Sequence, residues 1–169
     1  ETITVDGRDD RFLLNDGLWA GKYLSELYAL AMTPWEWHGP LAERAARHGL
    51  PLFSSPFDES AVDFLEETLD PQVYKVASFE LNHFPMLRKI AQTGKPVLAS
   101  VGVSTDGEIE RALTELRENG CPEIILLHCV SEYPAKPEDF HLIDMPKLGE
   151  RYGTAYGLSD HSSGHVVAV

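Results

Sequence analysis

Apolar and polar positions along the chain alternate between two registers, and that alternation sets the expected architecture. Leu24, Leu27, Tyr28 and Ala31 recur at helical spacing and predict a helix over Lys22–Met32. A second helix is expected from Thr33 to about His48, with Thr33 as N-cap, Pro34 in the first turn, Glu36 three residues on and Gly49 just past its end. From Leu50 a repeat begins. Short apolar runs at Leu50–Phe53, Val73–Ala77, Lys95–Ser100, Glu123–Cys129 and Thr154–Leu158 recur at roughly 22–31 residue intervals. Each precedes a helical stretch, at about 58–69, 85–93, 106–119, 137–151 and from Gly164 onward. Residues 1–21 are polar and turn-rich and predict an extended loop or short hairpin.

Strands that alternate with helices form βα units and a parallel sheet. Two α/β architectures fit, a doubly wound open sheet or a (β/α)8 barrel. No Gly-x-Gly-x-x-Gly follows any strand, which disfavours a dinucleotide-binding sheet. Lys75 stands inside an otherwise apolar strand, a position that a barrel lumen accommodates. A complete barrel needs about 250 residues, and this chain has 169. The expected fold is therefore an incomplete TIM (β/α)8 barrel, read as a segment of a longer protein with strands missing at both ends.

Composition narrows the function. A net charge of −13 argues against nucleic acid or an anionic membrane surface as partner. No run approaches the roughly 18 apolar residues of a membrane span, and the first residues have no basic region or apolar core typical of a secretion signal. Two cysteines, Cys121 and Cys129, are too few for a disulfide scaffold and point to a reducing, cytoplasmic setting.

Candidate chemistry collects at the ends of the strands. Lys75 in a buried strand is costly unless an anion meets it; Ser78 and Glu80 follow within five residues. The other strands end in Ser54 and Ser55, in Ser100, in His128, Ser131 and Tyr133, and in Ser159, Asp160 and His161. One such tail is an ordinary helix cap; five on the same side form a polar rim around a pocket. His128 reads first as a satisfied core residue, and Cys129 as structural, because nothing activates its thiol. Ser159, Asp160 and His161 are too close in sequence for a catalytic triad. A histidine at a strand end with a carboxylate beside it suits a divalent metal, with Asp160 orienting the ring or a metal-bound water.

Several motifs together resemble bacterial sialic acid synthases: Thr33-Pro34-Trp35-Glu36-Trp37-His38, Phe53-Ser54-Ser55-Pro56-Phe57-Asp58, Tyr74-Lys75-Val76-Ala77-Ser78-Phe79-Glu80, Leu126-Leu127-His128-Cys129, Tyr133-Pro134 and Gly157-Leu158-Ser159-Asp160-His161. The opening, from Thr2-Ile3-Thr4 to Leu18-Trp19 and Leu24-Ser25-Glu26-Leu27-Tyr28, is most similar to the pseudaminic acid synthase branch. The resemblance implies barrel strands three through seven. The first two strands, the eighth strand and a small antifreeze-like domain would lie outside this stretch, and the whole protein would be a homodimer. It implies a condensation of phosphoenolpyruvate with an N-acylated amino sugar in its aldehyde form, dependent on Mn2+ or Mg2+. Lys75, Ser78, Ser100 and Ser159 would hold phosphoenolpyruvate with help from Ser55, and Glu80 would manage protons. Ser131 and Tyr133 would line the pocket, and His161 would bind the metal. Ser55 stands where many relatives have Thr, Val101 where the usual motif has Thr, and Ser131 where some have Asn. Two rival readings remain open at this point: a Schiff-base aldolase using Lys75, and a non-catalytic half-barrel. On the synthase reading this stretch alone is expected to show no turnover.

Overall fold

The computed structural model describes residues 6–169, and Thr2-Ile3-Thr4 of the expected opening loop lies outside them. The chain divides into two compact units, one up to Leu52 and one from Phe53 onward. In the first, Leu13 bridges antiparallel to Tyr23, and the Leu14 N–H donates to the Lys22 carbonyl at 3.0 Å, closing the expected hairpin-like loop. Helix α1 (Leu24–Ala31) follows. The second expected helix begins instead as a 3-10 turn, Trp35–Trp37, that runs into α2 (His38–Arg47). Thr33 does not cap it. Gly49 lies beyond α2 at φ +65°, the left-handed conformation that ends a helix at low cost only with glycine.

The second unit carries the sheet. Helix α3 (Glu59–Thr68) starts where Asp58 caps it, its carboxylate accepting from the Ala61 N–H at 2.8 Å. Then come β1 (Tyr74–Val76), α4 (Phe84–Gln92), β2 (Val97–Ser100), α5 (Asp106–Glu118), β3 (Ile124–His128), α6 (Met145–Tyr152) and β4 (Ala155–Leu158). All pairings are parallel, in the order β1-β2-β3-β4. A doubly wound sheet reverses its strand order at a switch point, whereas each strand here pairs with the next, as in an arc of a barrel.

Register separates the two faces of the sheet. Tyr74 aligns with Val97 and Val97 with Ile124; Val76, Ala99 and Leu126 align likewise two residues on. These six are buried against Val62 and Leu65 of α3, Leu87 and Ile90 of α4, and Leu113 and Leu116 of α5 in one continuous core. The alternate residues Lys75, Leu98, Ser100, Ile125 and Leu127 therefore face the opposite side. In a barrel that side is the lumen.

Three further expectations fail, the first two for local reasons. Leu50–Phe53 is not a strand. Pro51 removes a ladder donor, no strand among the described residues pairs with it, and Leu50 and Phe53 remain exposed. The helix expected over 137–151 is two 3-10 turns, Pro137–Asp139 and Leu142–Asp144, followed by the shorter α6. Pro146 in its first turn cannot be crossed by a continuous helix, because its ring meets the carbonyl four residues back. From Gly164 the chain turns instead of winding into a helix.

The packing predicts a contrast. Leu116→Ala, at a fully buried contact between α5 and the sheet, should lower unfolding free energy by about 2–5 kcal/mol. Asp58→Ala, which removes one cap, should cost about 1 kcal/mol. Urea unfolding of the full chain measures both, and equal losses would contradict the core described here.

Candidate active site

The site is assembled where β1, β2, β3 and β4 hand over to the loops that follow them. Lys75 leaves the sheet on the lumen side, and its Nζ donates to Ser100 Oγ at 2.7 Å and to the Val76 carbonyl at 2.9 Å. Ser100 is only 2% exposed. Both acceptors are neutral, so the ammonium is hydrogen-bonded without being neutralised. Burial pushes the Lys75 pKa below the usual lysine value, and the nearby Cys129 and Glu80 oppose that push.

After β1 the chain makes a 3-10 turn, Ser78–Glu80, with Ser78 buried at its start. Ser78 Oγ accepts from the Val103 N–H of the loop after β2 at 2.9 Å. Its own hydroxyl hydrogen stays available for another acceptor. Glu80 closes the turn, and its Oε2 is buried with no hydrogen-bond partner among the described residues. Burial raises the Glu80 carboxyl above its ordinary range, with its own backbone N–H, His83 and Lys75 pulling the other way. A buried carboxylate oxygen left unpaired costs on the order of 1–3 kcal/mol or more.

A second group forms around β4. His161 Nδ1 lies 2.7 Å from the Val130 carbonyl, which can only accept, so the hydrogen sits on Nδ1. In the neutral ring Nε2 then carries the lone pair. Ser159 Oγ lies 3.3 Å from that nitrogen and the Tyr133 hydroxyl 3.2 Å. The Tyr133 and His161 rings stack with centroids 4.2 Å apart. Between the two groups stand Cys129, buried and unoxidised, and Ser131, whose Oγ is 3.9 Å from the Cys129 sulfur.

The predicted residues thus fall into two sets: Lys75, Ser78, Ser100 and Glu80 at β1 and β2, and Ser159, His161 and Tyr133 around β4, with Ser131 between. Ser55 lies half-buried in the loop before α3 and joins none of these bonds. Asp160 does not orient His161; its carboxylate accepts from the Ser162 N–H at 2.8 Å. Neighbours on a turn point apart, and a main-chain carbonyl thirty-one residues away does the orienting instead. His128 is structural, as its sequence context suggested, with Nε2 donating to the Phe140 carbonyl. Sequence reading missed the Val130 carbonyl and the place of Cys129 beside Lys75. Strand alternation carried a signal for Cys129, which lies two residues beyond the lumen-facing Leu127. No group of three His, Cys, Asp or Glu among the described residues is arranged to hold a metal ion.

A parallel sheet in sequence order, with a cation, hydroxyls and a histidine gathered at the C-terminal ends of its strands, defines a barrel-type α/β protein, a fold in which that end of the strands is where active sites form. The chain matches the NeuB family model over residues 1–169 and belongs to that family. It is 41% identical over 167 residues to pseudaminic acid synthase of Helicobacter pylori, covering 99% of this chain and 49% of that protein. Pseudaminic acid synthase of Campylobacter jejuni is 38% identical over 169 residues, covering 100% of this chain and 49% of that one. Among solved structures, N-acetylneuraminic acid (sialic acid) synthetase from Leptospira borgpetersenii aligns at a TM-score of 0.77 with 30% identity, over 84% of this chain and 49% of that one. The chain spans about half the length of the curated relatives it matches. No helix among the described residues is long and apolar enough to cross a membrane.

Lys75 gives a testable linkage between pH and stability. Its folded-state pKa lies below the unfolded value of 10.5. Between the two, the unfolded chain binds more protons, so unfolding free energy rises with pH across that alkaline interval. Lys75→Met should abolish this rise and make the ligand-free protein more stable at pH 7 by about 1 kcal/mol or more. Urea titrations of both proteins from pH 7 to 11 read the difference; a destabilised variant with an unchanged pH slope would refute the burial of an unneutralised ammonium.

Proposed function

We propose that the protein carrying this chain is a nonulosonic acid synthase of the pseudaminic acid type. It would condense phosphoenolpyruvate with an N-acylated amino sugar in its aldehyde form and release phosphate. The observation that carries the reading is Lys75: a half-buried ammonium whose hydrogen-bond partners, Ser100 and the Val76 carbonyl, are both neutral. A phosphate or carboxylate in the lumen would supply the missing charge, with Ser78 and Ser100 donating beside it. The likeness to two pseudaminic acid synthases over nearly the whole chain supports that choice of sugar class.

In this reaction the C3 of phosphoenolpyruvate forms a bond to the aldehyde carbon, water adds at C2, and the C2–O bond to phosphate breaks. Lys75, Ser78, Ser100 and Ser159, with Ser55, hold the phosphate and carboxylate, fixed donors that need no rearrangement as charge shifts. Glu80, with a raised pKa and an unpartnered oxygen, is placed to exchange a proton with the sugar aldehyde oxygen or the attacking water. Ser131 and Tyr133 line the space between. The donor set fits a divalent metal at one ligand: the Val130 bond puts the His161 lone pair on Nε2, where a metal would take the place of the Ser159 and Tyr133 hydroxyl contacts, and the remaining ligands would be substrate and water. Mn2+ or Mg2+ there would supply Lewis-acid polarisation of the aldehyde. The setting is cytoplasmic, in keeping with two free cysteines, and the assembly is a homodimer.

A lowered Lys75 pKa also suits a Schiff-base aldolase, in which the neutral amine attacks a keto acid. Borohydride separates the two: covalent trapping of pyruvate on Lys75 would establish the aldolase and exclude the synthase reading.

On the synthase reading, phosphate release by the whole protein should require both phosphoenolpyruvate and the acyl sugar. Lys75→Met should lower kcat/KM by about a hundredfold or more. His161→Ala should weaken Mn2+ binding, read by calorimetry without turnover, by about tenfold or more. Phosphate release that ignores the sugar, or a fully active Lys75→Met, would overturn the assignment.

A further inference from the structure

The loop after β2 touches both neighbouring strand ends, that of β1 through Val103 and that of β3 at Gly102, a residue without a side chain. A Cβ built on Gly102 would stand 2.5 Å from the Cys129 carbonyl oxygen, 2.6 Å from the Cys129 sulfur and 2.9 Å from Ser131 Oγ. Real Cβ atoms do not approach that closely, and one of the three neighbours is main chain, which cannot swing aside. The backbone at Gly102 is not left-handed, so the demand for glycine is one of contact alone. Immediately on either side lie the groups the site depends on. Ser100, two residues before, accepts from Lys75; Val103, one residue after, donates its N–H to Ser78 Oγ. Val101 is itself buried and its N–H donates to the Leu127 carbonyl at 3.1 Å, tying the loop to β3 from below.

We propose that Gly102 is a positioning residue for the anion-binding set: its bare backbone lets the β2–α5 loop seat against Cys129 and Ser131, which brings the Val103 N–H onto Ser78. That bond occupies an acceptor lone pair of the serine and turns its hydroxyl hydrogen away from the loop, toward the lumen where Lys75 points. An added methyl group lifts the loop from β3, separates Val103 from Ser78 and lets the hydroxyl rotate. The effect on an anion would pass through Ser78 and Ser100, since Gly102 itself presents no donor side chain. The proposal rests on the reading that these residues hold phosphoenolpyruvate, but the loop contact can be judged without it.

Two measurements on the full chain test this. Phosphoenolpyruvate binding is followed by calorimetry in wild type, G102A and the double variant C129A/G102A, and hydrogen exchange of the Val103 amide is followed by NMR in the unliganded proteins. G102A should weaken phosphoenolpyruvate binding by about tenfold to a hundredfold and speed Val103 exchange, while amides of the core strands keep their protection. Removing the Cys129 sulfur should restore binding only in part, by about threefold relative to G102A, because the Cys129 carbonyl still meets the added methyl group. Wild-type binding that G102A leaves unchanged would overturn the proposal, as would slow Val103 exchange in both variants. If wild type itself ignores phosphoenolpyruvate, the anion reading falls, and the Val103 amide alone then decides whether Gly102 seats the loop. Should G102A not fold, the double variant carries the same comparison, and wild-type affinity and exchange in it would refute the role.

Discussion

One hydrogen-bonded ammonium governs how the rest of this sheet can be read. Lys75 sits in the middle of the three-residue β1, with apolar residues on either side in sequence and Leu98 beside it in register. Its neighbours satisfy its geometry, through Ser100 and the Val76 carbonyl, without cancelling its charge. The surface lysines and arginines that touch acids, such as Lys89 with Asp63 and Arg88 with Glu115, are ordinary exposed pairs worth little to stability. Lys75 is the opposite case: its hydrogen-bond partners are neutral, and the nearby Glu80 and Cys129 act on its charge only through space.

The two faces of the sheet divide the work. On the helix face, register lines up Tyr74, Val97 and Ile124, then Val76, Ala99 and Leu126, all buried against α3, α4 and α5. That packing is dense enough to fix the strands, and therefore to fix what leaves the other face. Lys75 and Ser100 leave the sheet on that other face, and Cys129, Ser131 and Ser159 leave the loops beyond the strand ends. The rigid core positions the polar rim, which is why the unpaired Glu80 oxygen and the depressed lysine persist in one place.

Much of this was legible from residue order. Alternating apolar runs and helical stretches gave four of the strands and most of the helical structure between them, and Lys75 falls inside a strand as its apolar neighbours predict. The failures are instructive because each has a tertiary or steric cause. Leu50–Phe53 has strand composition, but a strand exists only when something pairs with it. The helix over 137–151 has helical periodicity, but Pro146 interrupts it. Asp160 stands next to His161 in sequence, yet the carbonyl of Val130 orients the ring. A main-chain acceptor has no signature in a sequence, since every residue has one. Gly102 is similar: a glycine after a strand looks like any loop residue until the Cys129 carbonyl is found in the space a side chain would need.

The separation of the two groups bears on what kind of ligand the rim can serve. β1 and β4 are three strand spacings apart, about 14 Å along the sheet, and a barrel's curvature brings their inward side chains closer than that. Ser131 and Cys129 beyond the end of β3 occupy the middle and carry no formal charge of the kind Lys75 and Glu80 supply. On the proposed reading, such a rim would serve two substrates, an anion anchored at Lys75 and an oxygen-bearing electrophile near His161. A half-buried ammonium with neutral hydrogen-bond partners and a buried carboxylate oxygen with none among the described residues both cost stability that apolar replacements would not, and the proposed anion would offset the first of these costs.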